Sequence, residues 1–130
     1  KKLGISQSIH IQSSLSFAEL SQHFRSADLV VYPSYYEGQG LIPLESLASG
    51  TPVATVDQEP LTEMVDSSVG GLFKRGDSVD LARCVNEMLS SEETTEKARL
   101  GRERVLSKYT YEHNASDYEK AFIRAISKRS

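Results

Sequence analysis

Two carboxylates, Glu37 and Glu45, stand with seven residues between them and bracket the run Gly38-Gln39-Gly40-Leu41-Ile42. Two glycines separated by one residue let the backbone approach a ligand closely and expose its amides. A helix opening near Gly40 or Leu41 points its free N–H groups and the positive end of its dipole at the same spot, which suits a phosphate. Carboxylates would repel a ligand that was phosphate alone. They read better as hydroxyl acceptors, since a carboxylate takes two hydrogen bonds from a vicinal diol such as that of a ribose or a hexose. A phosphate flanked by two hydroxyl-bearing groups describes a nucleotide sugar. The plain alternative makes Glu37 a solvated loop residue and Glu45 an exposed helix residue. A metal held by the pair is the other alternative, and no His or Asp sits at ligand spacing nearby.

The elements that must position these groups follow from the apolar pattern. Ser8-Ile9-His10-Ile11-Gln12 alternates as a short strand. Ser16 with Glu19 three residues on forms a capping box for a helix to about Arg25, with Phe17, Leu20 and Phe24 on one face. Residues 28–33 read as a strand whose apolar run, Leu29-Val30-Val31-Tyr32, is of the kind buried on both faces in parallel sheets, closed by Pro33. Leu41 to Ser49 has helical spacing, with Pro43 tolerable in its first turn and Gly50 as its stop. Residues 51–56 read as a second buried strand, 61–65 as a short helix and 69–74 as a turn into a last strand. Three helical stretches follow. Residues 78–90 are predicted to bury Val79, Leu81, Ala82, Val85 and Leu89. Residues 93–107 are predicted to bury Ala98, Leu100 and Val105, and residues 112–127 Tyr118, Phe122, Ala125 and Ile126. Alternating strands and helices imply an α/β fold, a Rossmann-like parallel sheet flanked by helices. In such a sheet ligands lie beyond the carboxyl ends of the strands, where the Tyr32–Leu41 loop falls.

Composition narrows the class. The chain has 130 residues, 38% hydrophobic and 25% charged, with a net charge of −3, as in an ordinary globular domain. No apolar run approaches the roughly 18 residues of a membrane span, and Lys1-Lys2-Leu3-Gly4-Ile5-Ser6 shows no apolar leader. The single Cys84 closes no intrachain disulfide, which suits a reducing, cytoplasmic setting. The acidic balance argues against nucleic-acid partners. Charge is uneven: residues 51–100 carry 5 basic and 10 acidic side chains, residues 101–130 carry 7 and 4. The basic stripe Lys120, Arg124, Lys128 reads as a solvated helix face, with contact to an anionic membrane or another domain as the alternative. His10, His23 and His113 are scattered, and Cys84 reads as a packing thiol.

The strings Ala27-Asp28-Leu29-Val30-Val31-Tyr32-Pro33-Ser34, Tyr36-Glu37-Gly38-Gln39-Gly40-Leu41-Ile42-Pro43-Leu44-Glu45 and Ala48-Ser49-Gly50-Thr51-Pro52-Val53-Ala54 together resemble the group 1 family of retaining glycosyltransferases, family four, built on the two-domain GT-B fold. Its Glu, seven residues, Glu hallmark matches Glu37 and Glu45. Pro60 and Glu63 ahead of Val65, and Gly70-Gly71-Leu72-Phe73, resemble its downstream motifs. The resemblance spans roughly residues 8–125 and implies the carboxy-terminal half of a GT-B fold with its first strands missing. Residues 1–130 would be a partial donor-binding domain whose final helix, 112–127, packs back across it.

The resemblance also implies roles. Glu37 would be the catalytic carboxylate, contacting hydroxyls of the donor sugar. Gly38 lies in the donor-binding loop, the amides of Gln39, Gly40 and Leu41 would touch sugar and diphosphate, and that of Ile42 a phosphate. Glu45 would hold the ribose, and Ser13 to Leu15 would border the base. The reaction would move a hexose from a nucleotide sugar to a glycan, lipid-linked or other acceptor with retention, needing neither cofactor nor metal. The acceptor would arrive through an amino-terminal domain absent from this chain, at the cytoplasm or the inner membrane face. The chain alone would then be inactive. Two departures stand out: Gln39 where the family commonly has an aromatic, and a start too late to carry the family's Arg/Lys pair, which Lys1 and Lys2 do not match. The competing class is a non-catalytic Rossmann-like nucleotide-binding or signalling module, for which Asp28 begins its strand instead of following one. With the intervening strands absent, residues 8–12 are expected to be a displaced or frayed edge strand, or to pair with another copy of the chain.

Overall fold

The structure, a computed structural model, describes residues 3–128. Three parallel strands lie side by side in chain order: β1 (Val30–Tyr32), β2 (Val53–Val56) and β3 (Gly71–Phe73). Val30, Val31 and Tyr32 pair with Val53, Ala54 and Thr55, and the last two of these with Val56 pair with Gly71, Leu72 and Phe73. Around the sheet run α1 (Phe17–Ser26), α2 (Leu41–Ala48), α3 (Leu61–Met64), α4 (Ser78–Ser90), α5 (Thr94–Lys108) and α6 (Tyr111–Ser127). This is the α/β, parallel, helix-flanked architecture that the sequence predicts.

Local rules explain most of the boundaries. The capping box forms: Ser16 Oγ accepts from the Glu19 amide at 3.3 Å, and Glu19 accepts from the Ser16 amide at 2.8 Å. α2 ends where Gly50 takes φ +81°, its amide donating to Leu47 O at 2.9 Å. All four residues of β2, in the centre of the sheet, are buried, as a β-branched strand with neighbours on both sides should be. The core gathers Leu47, Val53, Val56, Leu61 and Val65, each at most 2% exposed. α2 packs on β1 and β2 with α1 and α5 against it, while α4 packs on β3 and β2. At Gly101 the approach of α5 to α2 is so close that a Cβ would lie 2.5 Å from Leu47 Cδ2.

Several expectations are corrected. Residues 8–12 form no strand: a 3₁₀ turn covers Ser6–Ser8, and Ile9 and Ile11 are 54% and 92% exposed. No strand of the described residues lies beside them, and without a partner an extended segment has only water to bond. β1 is not buried on both faces, since Val31 is 37% exposed. Its side chain shares a face with Ala54 and Gly71, and α4 sits over β2 and β3 there. α4 turns Cys84 and Met88 inward, leaving Val79, Ala82 and Leu89 exposed; the side-chain-free surface of Gly71 admits the Cys84 thiol where a Cβ would lie 2.6 Å away. Phe17 is 89% exposed although Phe24 on the same stripe is buried. Finally, α6 forms but buries none of its residues, so Tyr118, Phe122, Ala125 and Ile126 are exposed and the helix does not pack back across the domain.

Candidate functional site

The carboxyl ends of the three strands meet at a cavity of about 140 Å³ lined by Pro33 after β1, Val56 at the end of β2, Phe73 and Lys74 at the end of β3, and Asp77. The Tyr32–Gly40 loop rises beside it and is tied down at several points. Gln58 Nε2 donates to Tyr35 O at 3.2 Å, and the Ser34 hydroxyl to Tyr36 O at 3.2 Å. The Arg75 guanidinium lies 5.1 Å from the Tyr35 ring centroid and 5.0 Å from that of Tyr36, a double cation–π contact. Sequence reasoning missed Arg75. Its signal was a Lys-Arg pair directly after the last strand, at the end of the sheet where ligands bind.

Glu37 is half-buried and its Oε1 accepts from the Tyr32 phenol. Its carboxyl is held below the usual carboxylate range, first by that bond, then by the neighbouring Ser34 hydroxyl and the Gly40 amide, with burial opposing. Glu37 raises the phenol's pKa in turn, so at neutral pH the pair is an ionised carboxylate and a protonated tyrosine. Gly38 and Gln39 are exposed, while Gly40 is buried with φ +76° as the residue before α2. Only glycine fits Gly40: a Cβ would meet a strained backbone and lie 2.5 Å from Leu61 Cδ2. No side chain caps α2, and Pro43 in its first turn has no amide. The free donors of that turn are therefore the Leu41 and Ile42 amides, at the positive end of the helix dipole.

Glu45 lies one turn further along α2, in a different setting. It lines a cleft of about 210 Å³ between α1 and α2, walled by Phe17, Leu20, Ser21 and Phe24 on one side and Ala48 and Ser49 on the other. Its Oε2 is buried and has no hydrogen-bond partner. Ser13, Ser14 and Leu15 lead directly into α1, whose first residue, Phe17, walls the same cleft, and Ser14 takes φ +59°. The structure thus separates the two carboxylates. Glu37 is held at the mouth of α2 over the strand ends, and Glu45 faces the α1 cleft, with the free amides at the start of α2 between them in sequence.

Three of the residues given no catalytic role have definite settings. Cys84 is buried, and burial pushes its thiol pKa up. His113 stands against its N-cap residue, with Nδ1 2.8 Å from Thr110 Oγ1. Lys120 pairs with Asp117 at 3.1 Å on the exposed face of α6. Lys1 and Lys2 lie outside the described residues. Among the described residues no group of three His, Cys, Asp or Glu could hold a metal ion, and no helix is long and apolar enough to cross a membrane.

Comparison with known proteins gives a consistent result. The model of the family "Glycosyl transferases group 1" matches residues 1–104. A D-inositol 3-phosphate glycosyltransferase from Stackebrandtia nassauensis is 32% identical over 130 residues, covering 99% of this chain and 29% of that protein. An MMP alpha-(1->4)-mannosyltransferase from Mycolicibacterium hassiacum is 34% identical over 132 residues, covering 95% of this chain and 32% of the relative. Among solved structures, a sucrose-phosphate synthase from Thermosynechococcus elongatus superposes with a TM-score of 0.86 at 24% identity, over 96% of this chain and 32% of that one. The C-terminal domain of a group 1 family glycosyl transferase, LpcC, from Francisella tularensis gives a TM-score of 0.68 at 29% identity, over 78% of this chain and 53% of that one. The chain thus spans about three-tenths of the length of the curated relatives it matches.

Proposed function

Because the chain belongs to the group 1 glycosyltransferase family and has the α/β architecture of a GT-B half, we propose that it is the donor-binding part of a retaining hexosyltransferase. It holds a nucleoside diphosphate sugar along α2. Glu45 accepts the ribose diol, the Leu41 and Ile42 amides meet the diphosphate, Gly38, Gln39 and Gly40 lie along the sugar, and Glu37 accepts the sugar's hydroxyls. The base lies toward Ser13–Leu15. The observation that carries this reading is the buried, unpartnered Glu45 Oε2 in the α1–α2 cleft. That oxygen is shut off from water with its lone pairs unused, so a bound hydroxyl donor is its natural occupant.

In the reaction the acceptor oxygen bonds to the anomeric carbon, the bond from that carbon to the diphosphate breaks, and the acceptor's proton leaves with the diphosphate. The helix-start amides spread the charge of the leaving group, and no metal is required. A second domain brings the acceptor, a glycan, lipid-linked or other hydroxyl, to within the ~3–3.5 Å that transfer needs. The site works in the cytoplasm, and Lys120, Arg124 and Lys128 would meet an anionic inner membrane face.

Isothermal titration of the chain with UDP-glucose, GDP-mannose and ADP-glucose, each beside its free nucleoside diphosphate, tests the reading. Binding of one base family, tighter with the sugar attached, is expected. Glu37→Gln should weaken only the sugar-bearing form. Failure of all three families to bind, or equal weakening of both forms by Glu37→Gln, would refute it.

A further inference from the structure

We propose that Tyr32 is a positioning residue for Glu37: its phenol ties one oxygen of that carboxylate to the end of β1 and leaves the remaining lone pairs aimed at the donor sugar. The proposal rests on the reading of Glu37 given above. Glu37 sits in a loop, where a free side chain would sample several rotamers, and no helix or strand fixes it. Tyr32 is anchored where Glu37 is not. Its backbone is in register with Thr55 of the central strand, its carbonyl accepts from Thr55 Oγ1 at 3.3 Å, and its ring packs against the core. The phenol of this anchored ring donates to Glu37 Oε1. A carboxylate offers about four lone-pair sites, so one taken by Tyr32 still leaves room for a sugar diol.

The surrounding charges leave Tyr32 in control of this carboxylate. Arg75 stacks on the rings of Tyr35 and Tyr36, Lys74 and Asp77 line the adjoining cavity, and Glu45 faces the separate α1 cleft. None of them makes an ion pair with Glu37 among the described residues. The lowered carboxyl pKa of Glu37, with Tyr32 as its largest cause, agrees with the geometry.

The test compares wild type, Tyr32→Phe, Glu37→Gln and the double variant, titrated with the nucleotide sugar that binds best and its free nucleoside diphosphate, from neutral pH down to about pH 4. Tyr32→Phe keeps the ring in the core, and unchanged affinity for the nucleoside diphosphate reports an intact fold. We expect it to lose roughly threefold to tenfold in affinity for the sugar-bearing form, less than a direct charge-assisted contact is worth. Sugar-specific binding should also fail at a higher pH than in wild type, because Glu37 protonates earlier once its donor is gone. Neither effect should appear in the Glu37→Gln background. Wild-type behaviour of Tyr32→Phe beside a weakened Glu37→Gln would overturn the role of Tyr32 alone. Equal weakening of both ligand forms with no change in the acid limb would reduce Tyr32 to a structural residue. A Glu37→Gln variant that binds the sugar form like wild type would overturn the reading of Glu37, and this proposal with it.

Discussion

Replacing Glu45 by Gln should move affinity and stability in opposite directions. The side chain keeps its length and its place between α1 and α2, but the charge is lost and one acceptor becomes a donor. In the free protein, Oε2 is buried without a partner while the residue as a whole is half-buried, so removing the charge should relieve about 1 kcal/mol, the low end of the cost of an unsatisfied polar group. A chain of this size unfolds with an entropy near 0.27 kcal/mol/K at ~2.1 cal/mol/K per residue, so each kcal/mol is about 4 °C of Tm. The variant should therefore melt about 4 °C higher. Bound to a nucleoside diphosphate it should lose a charge-assisted hydrogen bond worth ~1.5–3 kcal/mol, about tenfold to over a hundredfold in Kd. The loss should be equal for the free nucleoside diphosphate and its sugar, since the ribose is common to both. Scanning calorimetry gives the first quantity and titration calorimetry the second. Unchanged nucleotide affinity would refute the ribose assignment, and a fall in Tm would refute the claim that the carboxylate is under-satisfied in the free state.

Two further outcomes test the scaffold. Gly101→Val should destabilise the chain by about 1–3 kcal/mol, read as a lower urea midpoint, because its side chain would push into fully buried Leu47 across the α2–α5 contact. Asp66 is held at a pKa of about 2, below its usual 3.8, chiefly by the Ser68 hydroxyl and then by Arg104, whose Nη1 lies 2.9 Å from Oδ2. A depressed carboxylate pKa stabilises the fold above the ordinary value and loses that effect as pH falls toward the depressed one. The difference in urea midpoint between wild type and Asp66→Asn should therefore hold steady above pH 5 and shrink from about pH 4 toward pH 2. A difference that persisted at pH 2 would contradict the assignment.

What could be read from the sequence was what depends on near neighbours. The Ser16–Glu19 capping box, the stop of α2 at Gly50, and a loop with glycines between a strand and a helix all depend on residues within a few positions of each other. So does the spacing that singled out Glu37 and Glu45. What was hidden depends on which surfaces find cover. Periodicity shows that α6 has an apolar stripe, but not whether anything in the chain lies against it. α4 carries several apolar residues around its circumference, and the register that put Gly71 opposite Cys84 chose the inward face. Ile9 and Ile11 alternate like a strand, yet pairing needs a neighbour. The Tyr32–Glu37 bond spans five positions around the corner where β1 gives way to the loop, and Arg75 reaches its two tyrosines from the far side of the sheet order. Neither contact leaves a periodic trace.

The chain contains six tyrosines and no tryptophan, which makes the site its own optical probe. Tyrosine emission is not masked by energy transfer to indole, and three of the six rings, Tyr32, Tyr35 and Tyr36, crowd the segment that leads to Glu37. One phenol is bonded to a carboxylate and two rings lie under a guanidinium. Each environment changes when a ligand competes for the carboxylate or shifts the loop. Intrinsic fluorescence and ultraviolet difference absorption should thus report occupancy without any label, and stopped-flow mixing on the same signal would give the rates of donor arrival and departure.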